Sequence, residues 1–241
     1  RPPRSTLFPY TTLFRSGRVV RIDARGTLED LRCKDAPWGA PMAVALAPDR
    51  SILVADGGAA VVIRWSETGC SSLGEGLLDR PTGVAAAVDR VWVADPPRHQ
   101  VIALSTSGEL VARIGEQGEG DGRFHFPSAV AVAPDGSVLV VDALNFRVVR
   151  LGAEGRWLGA FGEAGEEGAG LARPKGIAVE RDGTVLVSDA QRDAVLAFAP
   201  DGRFLWAAGE TGEAAGRFAH PAGLSVSDGR LAVADSQNHR I

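Results

Sequence analysis

Apolar residues in this chain come in short bursts. Runs of four to six Ala, Val, Leu and Ile are separated by Pro, Asp and Gly, which is the length of strands and not of helices. Five segments align without gaps: PMAVALAPDRSILVAD from Pro41, PTGVAAAVDRVWVAD from Pro81, PSAVAVAPDGSVLVVD from Pro127, PKGIAVERDGTVLVSD from Pro174 and PAGLSVSDGRLAVAD from Pro221. The prolines lie 40, 46, 47 and 47 residues apart. The closing aspartates Asp56, Asp95, Asp142, Asp189 and Asp235 lie 39, 47, 47 and 46 apart. Two anchors that keep one period identify an internal repeat.

Each repeat predicts four short strands. In the copy that starts at Pro127 these are AVAV at 129–132, VLVV at 138–141, RVVRL at 147–151 and RWLGAFG at 156–162. Pro-Asp-Gly joins the first two, a hairpin turn in which Gly takes a positive φ. Such a four-stranded sheet is apolar on both faces, so copies must stack about an axis, as the blades of a β-propeller do. The fold class is therefore all-β, with blades at 41–76, 81–116, 127–163 and 174–210 and half-blades at 17–36 and 221–241 in one domain, 17–241.

The stretch GEQGEGDGRFHFPSAVAVAPDGSVLVVDALNFRVVRL, 115–151, resembles the NHL repeat, and the last copy ends in DSQNHRI. The resemblance implies a six-bladed propeller, of which about five blades' worth is present. Residues 1–16 share nothing with the repeats. Residues 6–16, TLFPYTTLFRS, resemble the conceptual translation of a sequencing adapter. They are set aside as a non-native leader expected to make no ladder with the blades, and the chain is expected to be a fragment.

Composition changes the picture little. Thirty Gly and fourteen Pro suit a turn-rich β protein, and Lys34 and Lys175 are the only lysines among 26 basic residues, an Arg bias of the kind a GC-rich bacterial genome gives. The formal charge is −4, or −7 without the leader. No apolar run reaches the roughly 20 residues of a membrane helix. Cys33 and Cys70 fall on corresponding outer strands, with a six-residue offset that places them roughly 20 Å apart, so no disulfide is expected. Compartment stays open between cytoplasmic and extracytoplasmic.

The strand order puts the loops after each closing Asp on the same face as the long Gly/Glu loops at 115–127, 162–174 and 209–221. Loops on a rigid scaffold are where binding concentrates. Arg98, His99, Asn145, Arg147, Arg192, Asn238 and His239 are the candidate binding residues of that face. The repeated Asp56, Asp95, Asp142, Asp189 and Asp235 are read as fold anchors, because a catalytic group is needed once and a fold device in every blade. The four histidines lack metal-ligand spacing. The long loops carry eight acids against three Arg, which disfavours nucleic acid. No catalytic motif and no singular polar residue facing the axis stands out. The expectation is a non-catalytic interaction propeller for a protein, peptide or glycan, without catalytic residues, metal ligands or cofactor. The alternative is a metal-dependent small-molecule hydrolase or lyase of the lactonase-like six-bladed type. A channel metal, or calcium on the acidic loops, would accompany it.

Overall fold

The computed structural model describes residues 8–10, 18–22, 27–33, 38–163, 169–227 and 229–241. It is an all-β propeller. Blade I is β4–β7 (Pro41–Leu46, Ile52–Asp56, Val61–Ser66, Gly69–Leu73), and blade II is β8–β11 (Gly83–Ala86, Arg90–Asp95, Gln100–Ser105, Leu110–Ile114). Blade III is β12–β15 (Pro127–Val132, Val138–Asp142, Arg147–Leu151, Trp157–Phe161), and blade IV is β16–β19 (Pro174–Val179, Val185–Asp189, Ala194–Phe198, Phe204–Ala208). Each blade is a four-stranded antiparallel meander in chain order. At the ends lie a three-stranded sheet, β1–β3 (Phe8–Tyr10, Val19–Ile22, Leu28–Leu31), and a two-stranded one, β20–β21 (Pro221–Ser227, Arg230–Asp235). The helical element among the described residues is one 3-10 turn, Pro96–Arg98.

Burial follows strand position. The second strands β5, β13 and β17 are buried at every residue, because each sheet is covered on both faces. Fourth strands such as β19 stand at the rim and are largely exposed. First strands adjoin one another around the axis, and crowding there explains their Ala and Gly. A Cβ on Gly83 would come within 2.8 Å of Ala129 Cα in the next blade, and one on Gly176 would overlap Ala222 O. Side chains also tie neighbouring sheets: Thr82 Oγ1 donates to Ser128 O at 2.9 Å, and Ser188 Oγ of the second strand β17 donates to Ala222 O. Five apolar clusters fill the five gaps from β1–β3 round to β20–β21. They include Leu53 with Ile102 and Leu104, Trp92 with Phe124 and Val140, and Leu139 with Leu196 and Phe198.

Two expectations are corrected. Phe8–Tyr10 does form a ladder, pairing antiparallel with β2 from Phe8↔Ile22 to Tyr10↔Val20. The rest of the 1–16 segment, 1–7 and 11–16, lies outside the described residues. Cys33 and Cys70 are bonded, with a Cα–Cα distance of 5.8 Å. The 20 Å estimate assumed that the first sheet stacks as a regular blade. It also placed Cys33 at the end of a fourth strand, whereas the residue lies beyond that strand. β3 ends at Leu31, whose carbonyl accepts the Trp38 indole N–H at 2.8 Å, and the chain beyond it carries Cys33 to β7.

Candidate functional site

The face that carries the long loops is built around the closing aspartates. All five are at most 2% exposed. Each carboxylate reaches back to the backbone N–H groups that precede its own first strand. Asp56 accepts from Gly39 and Ala40 N–H, both at 2.7 Å, and Asp95 from Asp79 and Arg80, both at 2.9 Å. Asp142 accepts from His125 at 2.6 Å, Asp189 from Ala172 at 2.6 Å and Asp235 from Ala219 at 2.7 Å. A buried carboxylate needs such donors, and the repeat supplies them in every copy. At Asp235, burial pushes the carboxyl up, but the Ala219 N–H, Asn238 and Arg240 outweigh it and hold its pKa below the usual value.

The Asn and Arg of the Asp-x-x-Asn-x-Arg set complete the same network. Asn145 donates to Asp142 at 2.7 Å and to Gly118 O at 2.8 Å, and Asn238 donates to Asp235 and Gly212 O at 2.8 and 2.9 Å. Arg147 pairs with Asp142 at 3.0 Å, reaches Arg123 O at 3.2 Å and stacks its guanidinium 5.2 Å from the Trp157 ring. Arg240 repeats this with Asp235, Ala214 O and Arg217 O. The long loops are thus laced to the blades by the side chains of this repeated set. Asn145, Arg147 and Asn238 hold the face together from within.

The remaining candidates sit further out. The Arg98 side chain is partly exposed and pairs with Asp95 at 3.4 Å, while the Arg192 N–H donates to Asp189 at 3.1 Å. His99 Nδ1 accepts the Phe126 N–H at 3.3 Å, and its ring lies 5.7 Å from that of His125. His239 is exposed. Of the loop acids, Glu116 pairs with Arg123 at 3.0 Å, Glu210 with Arg217 at 3.3 Å and Glu163 with Arg147 at 3.6 Å. Glu166 and Glu167 lie outside the described residues. No three His, Cys, Asp or Glu side chains converge among the described residues.

Two features escaped the sequence reading. Phe126, Leu144 and Phe146 are 43%, 47% and 41% exposed on this face. They are brought together by the Ala143 N–H to Phe126 O and Leu144 N–H to His125 O bonds. Phe126 and Phe146 hold left-handed backbones, φ 66° and 53°, a conformation that bulky residues seldom adopt. The position of Phe146 is Ala60, His99, Asp193 and His239 in the other repeats, so the apolar pair Leu144 and Phe146 is peculiar to blade III. Comparing the loops after each aspartate would have exposed it.

The second is Lys175. A cavity of about 360 Å³ lies on the axis, lined by the first strands of all five repeats. The residue after each anchor proline stands at its mouth: Met42, Thr82, Ser128, Lys175 and Ala222. Four are uncharged, and the fifth is a lysine. That corrects the expectation that no singular polar residue faces the axis. Its signal was present in the aligned segments, as one charged letter in a column of small or apolar ones.

No helix among the described residues is long and apolar enough to cross a membrane, and no curated protein matches the chain. Among solved structures it is similar to a streptogramin B lyase, with 14% identity and a TM-score of 0.71 over 93% of this chain and 71% of that one. It is similar as well to virginiamycin B lyase from Staphylococcus aureus, with 13% identity and a TM-score of 0.69 over 93% and 72%. A nidogen/laminin complex gives 14% identity and a TM-score of 0.73 over 92% and 83%. At such identities the likeness concerns the fold. Residues 218–241 match the family model of the NHL repeat. The fold of the chain is a β-propeller, and the anchoring Asp of that matched segment recurs in each blade.

Proposed function

We propose that this propeller is a non-catalytic binding module that presents its long-loop face to a protein or peptide. The observation that carries this reading is the exposed Phe126, Leu144 and Phe146 cluster, peculiar to blade III and seated on a face whose loops are internally braced. Exposed apolar anchors on a rigid frame with a polar rim are the usual make-up of an interaction hot spot. Exposed Glu116, Glu119 and Asp121 on the adjoining loop, with Glu210 and Glu213 on the same face, favour a partner with basic residues beside an apolar anchor, and they disfavour RNA. The nidogen/laminin likeness is compatible with a propeller used in this way. The lyase likeness supports the enzymatic alternative at the level of fold only.

The test is a random peptide display screen against the full chain, repeated with the Leu144→Asp, Phe146→Asp double variant. Both positions are exposed, so the variant is expected to keep its circular dichroism and melting temperature. Enriched peptides should carry an apolar residue flanked by Lys or Arg, and should bind the variant at least about tenfold more weakly. Equal binding to both proteins would remove this reading, as would metal-dependent turnover of lactones.

A further inference from the structure

The axial cavity and the long-loop patch make different demands on a ligand. Each first strand is the terminal strand of its sheet, so its axis-side N–H and C=O groups have no strand to pair with. Between these edges the lining is apolar or small, with Met42, Val44, Ile177 and Leu224 giving it greasy walls. The one ionised side chain in the lining is Lys175. The charge acting on it is Arg173, of the same sign, and no Asp or Glu side chain is among the lining residues. Lys175 keeps part of its surface at the mouth. Even so, burial of the ammonium, with the Arg173 guanidinium adding to it, holds its pKa below the usual lysine value. A partly desolvated cation beside another cation is a group whose counter-ion has to come from elsewhere.

We propose that the axial cavity binds a small monocarboxylate with an apolar body, its carboxylate held by Lys175. A volume of about 360 Å³ falls within the roughly 300–1,000 Å³ of small-ligand sites. Apolar walls with one placed charge match a ligand that is greasy except at one end. A polyanion such as a nucleotide would bring more negative charge than one lysine offsets, and it would have to pass the acidic rim. This site shares Phe126 with the blade III patch but involves neither Leu144 nor Phe146.

Calorimetric titration of the full chain with phenylacetate and hexanoate, against phenylacetamide and hexanamide, tests the assignment. Each acid should bind at least about tenfold more tightly than its amide. Lys175→Gln should erase that preference, and Lys175→Arg should keep part of it. The Leu144→Asp, Phe146→Asp variant should bind the acids as the parent does, so failure here and failure of the peptide-binding reading are told apart. Lys175 is at the mouth, and an unchanged melting temperature shows that its variants fold. Equal affinity for acid and amide, a carboxylate preference that survives Lys175→Gln, or no binding of either acid at millimolar concentration overturns the proposal.

Discussion

Asp142 receives the His125 N–H, the Asn145 amide and the Arg147 guanidinium at once, with none of its surface exposed. Removing it leaves three donors unmet, one of them a guanidinium on a side chain only 7% exposed. Breaking a buried pair from one side strands the other charge, and that cost exceeds the loss of an ordinary hydrogen bond. Asp142→Ala should therefore destabilise the protein by about 3 kcal/mol in urea denaturation. A loss under about 1 kcal/mol would show that water replaces the carboxylate easily. Repetition made the aspartates legible in the sequence, since a residue found after every second strand has to serve the strand. What repetition hides is the exception. Lys175, Leu144 and Phe146 occupy repeat positions held by other residue types elsewhere, and their meaning comes from where the fold puts them: one at the axis, two on the open face.

At the scale of elements, the blades were legible and the first sheet was not. β5, β13 and β17 are apolar almost throughout, Ser188 in β17 being the exception, because neighbours cover both sides, and the closing Asp marks where each ends. β2 and β3 fall in the half-blade read at 17–36, but β1 has no repeat to follow, and the sheet as a whole was not legible. Its place depends on contacts far along the chain: Val19 and Leu31 against Ile52 and Val54, the Arg21 guanidinium 5.5 Å from the Trp65 ring, and the Cys33–Cys70 bond. The disulfide closes a separation of 37 residues, and chain-entropy reasoning gives such a cross-link about 4 kcal/mol. In Cys33→Ser, the β2 and β3 amides should exchange with solvent far faster than in the parent, while those of β13 and β17 stay protected. Unaltered protection across β2 and β3 would mean that packing on blade I suffices. The bond itself would persist in an oxidising compartment and be reduced in most cytosols.

Across the whole molecule, stability has a common dependence on ionised aspartates, because the turns as well as the anchors use them. In the hairpins that join first and second strands, the Ser51 hydroxyl and N–H hold Asp49, and those of Ser137 hold Asp135. The Thr184 N–H and hydroxyl do the same for Asp182. These bonds, opposed by slight burial at each site, lower all three carboxyls from their ordinary value of 3.8. Asp235 is lowered as well, its donors overcoming the burial that pushes it up. A carboxyl whose folded pKa is depressed contributes stability that is fully present above the unfolded value and is lost as pH falls through the folded one. The contributions come from blades I, III and IV and from the last repeat, and the clusters between sheets couple these into one body. The melting temperature should hence be nearly flat from about pH 5 to 8 with respect to these groups, and fall steeply below about pH 4. Ser137→Ala removes the largest of the interactions that lower Asp135, so it should make the acid limb shallower and leave the neutral plateau only slightly lower. A melting temperature that holds down to pH 2.5 would show that the folded and unfolded states titrate alike, and that these turns are as well formed with the acid protonated.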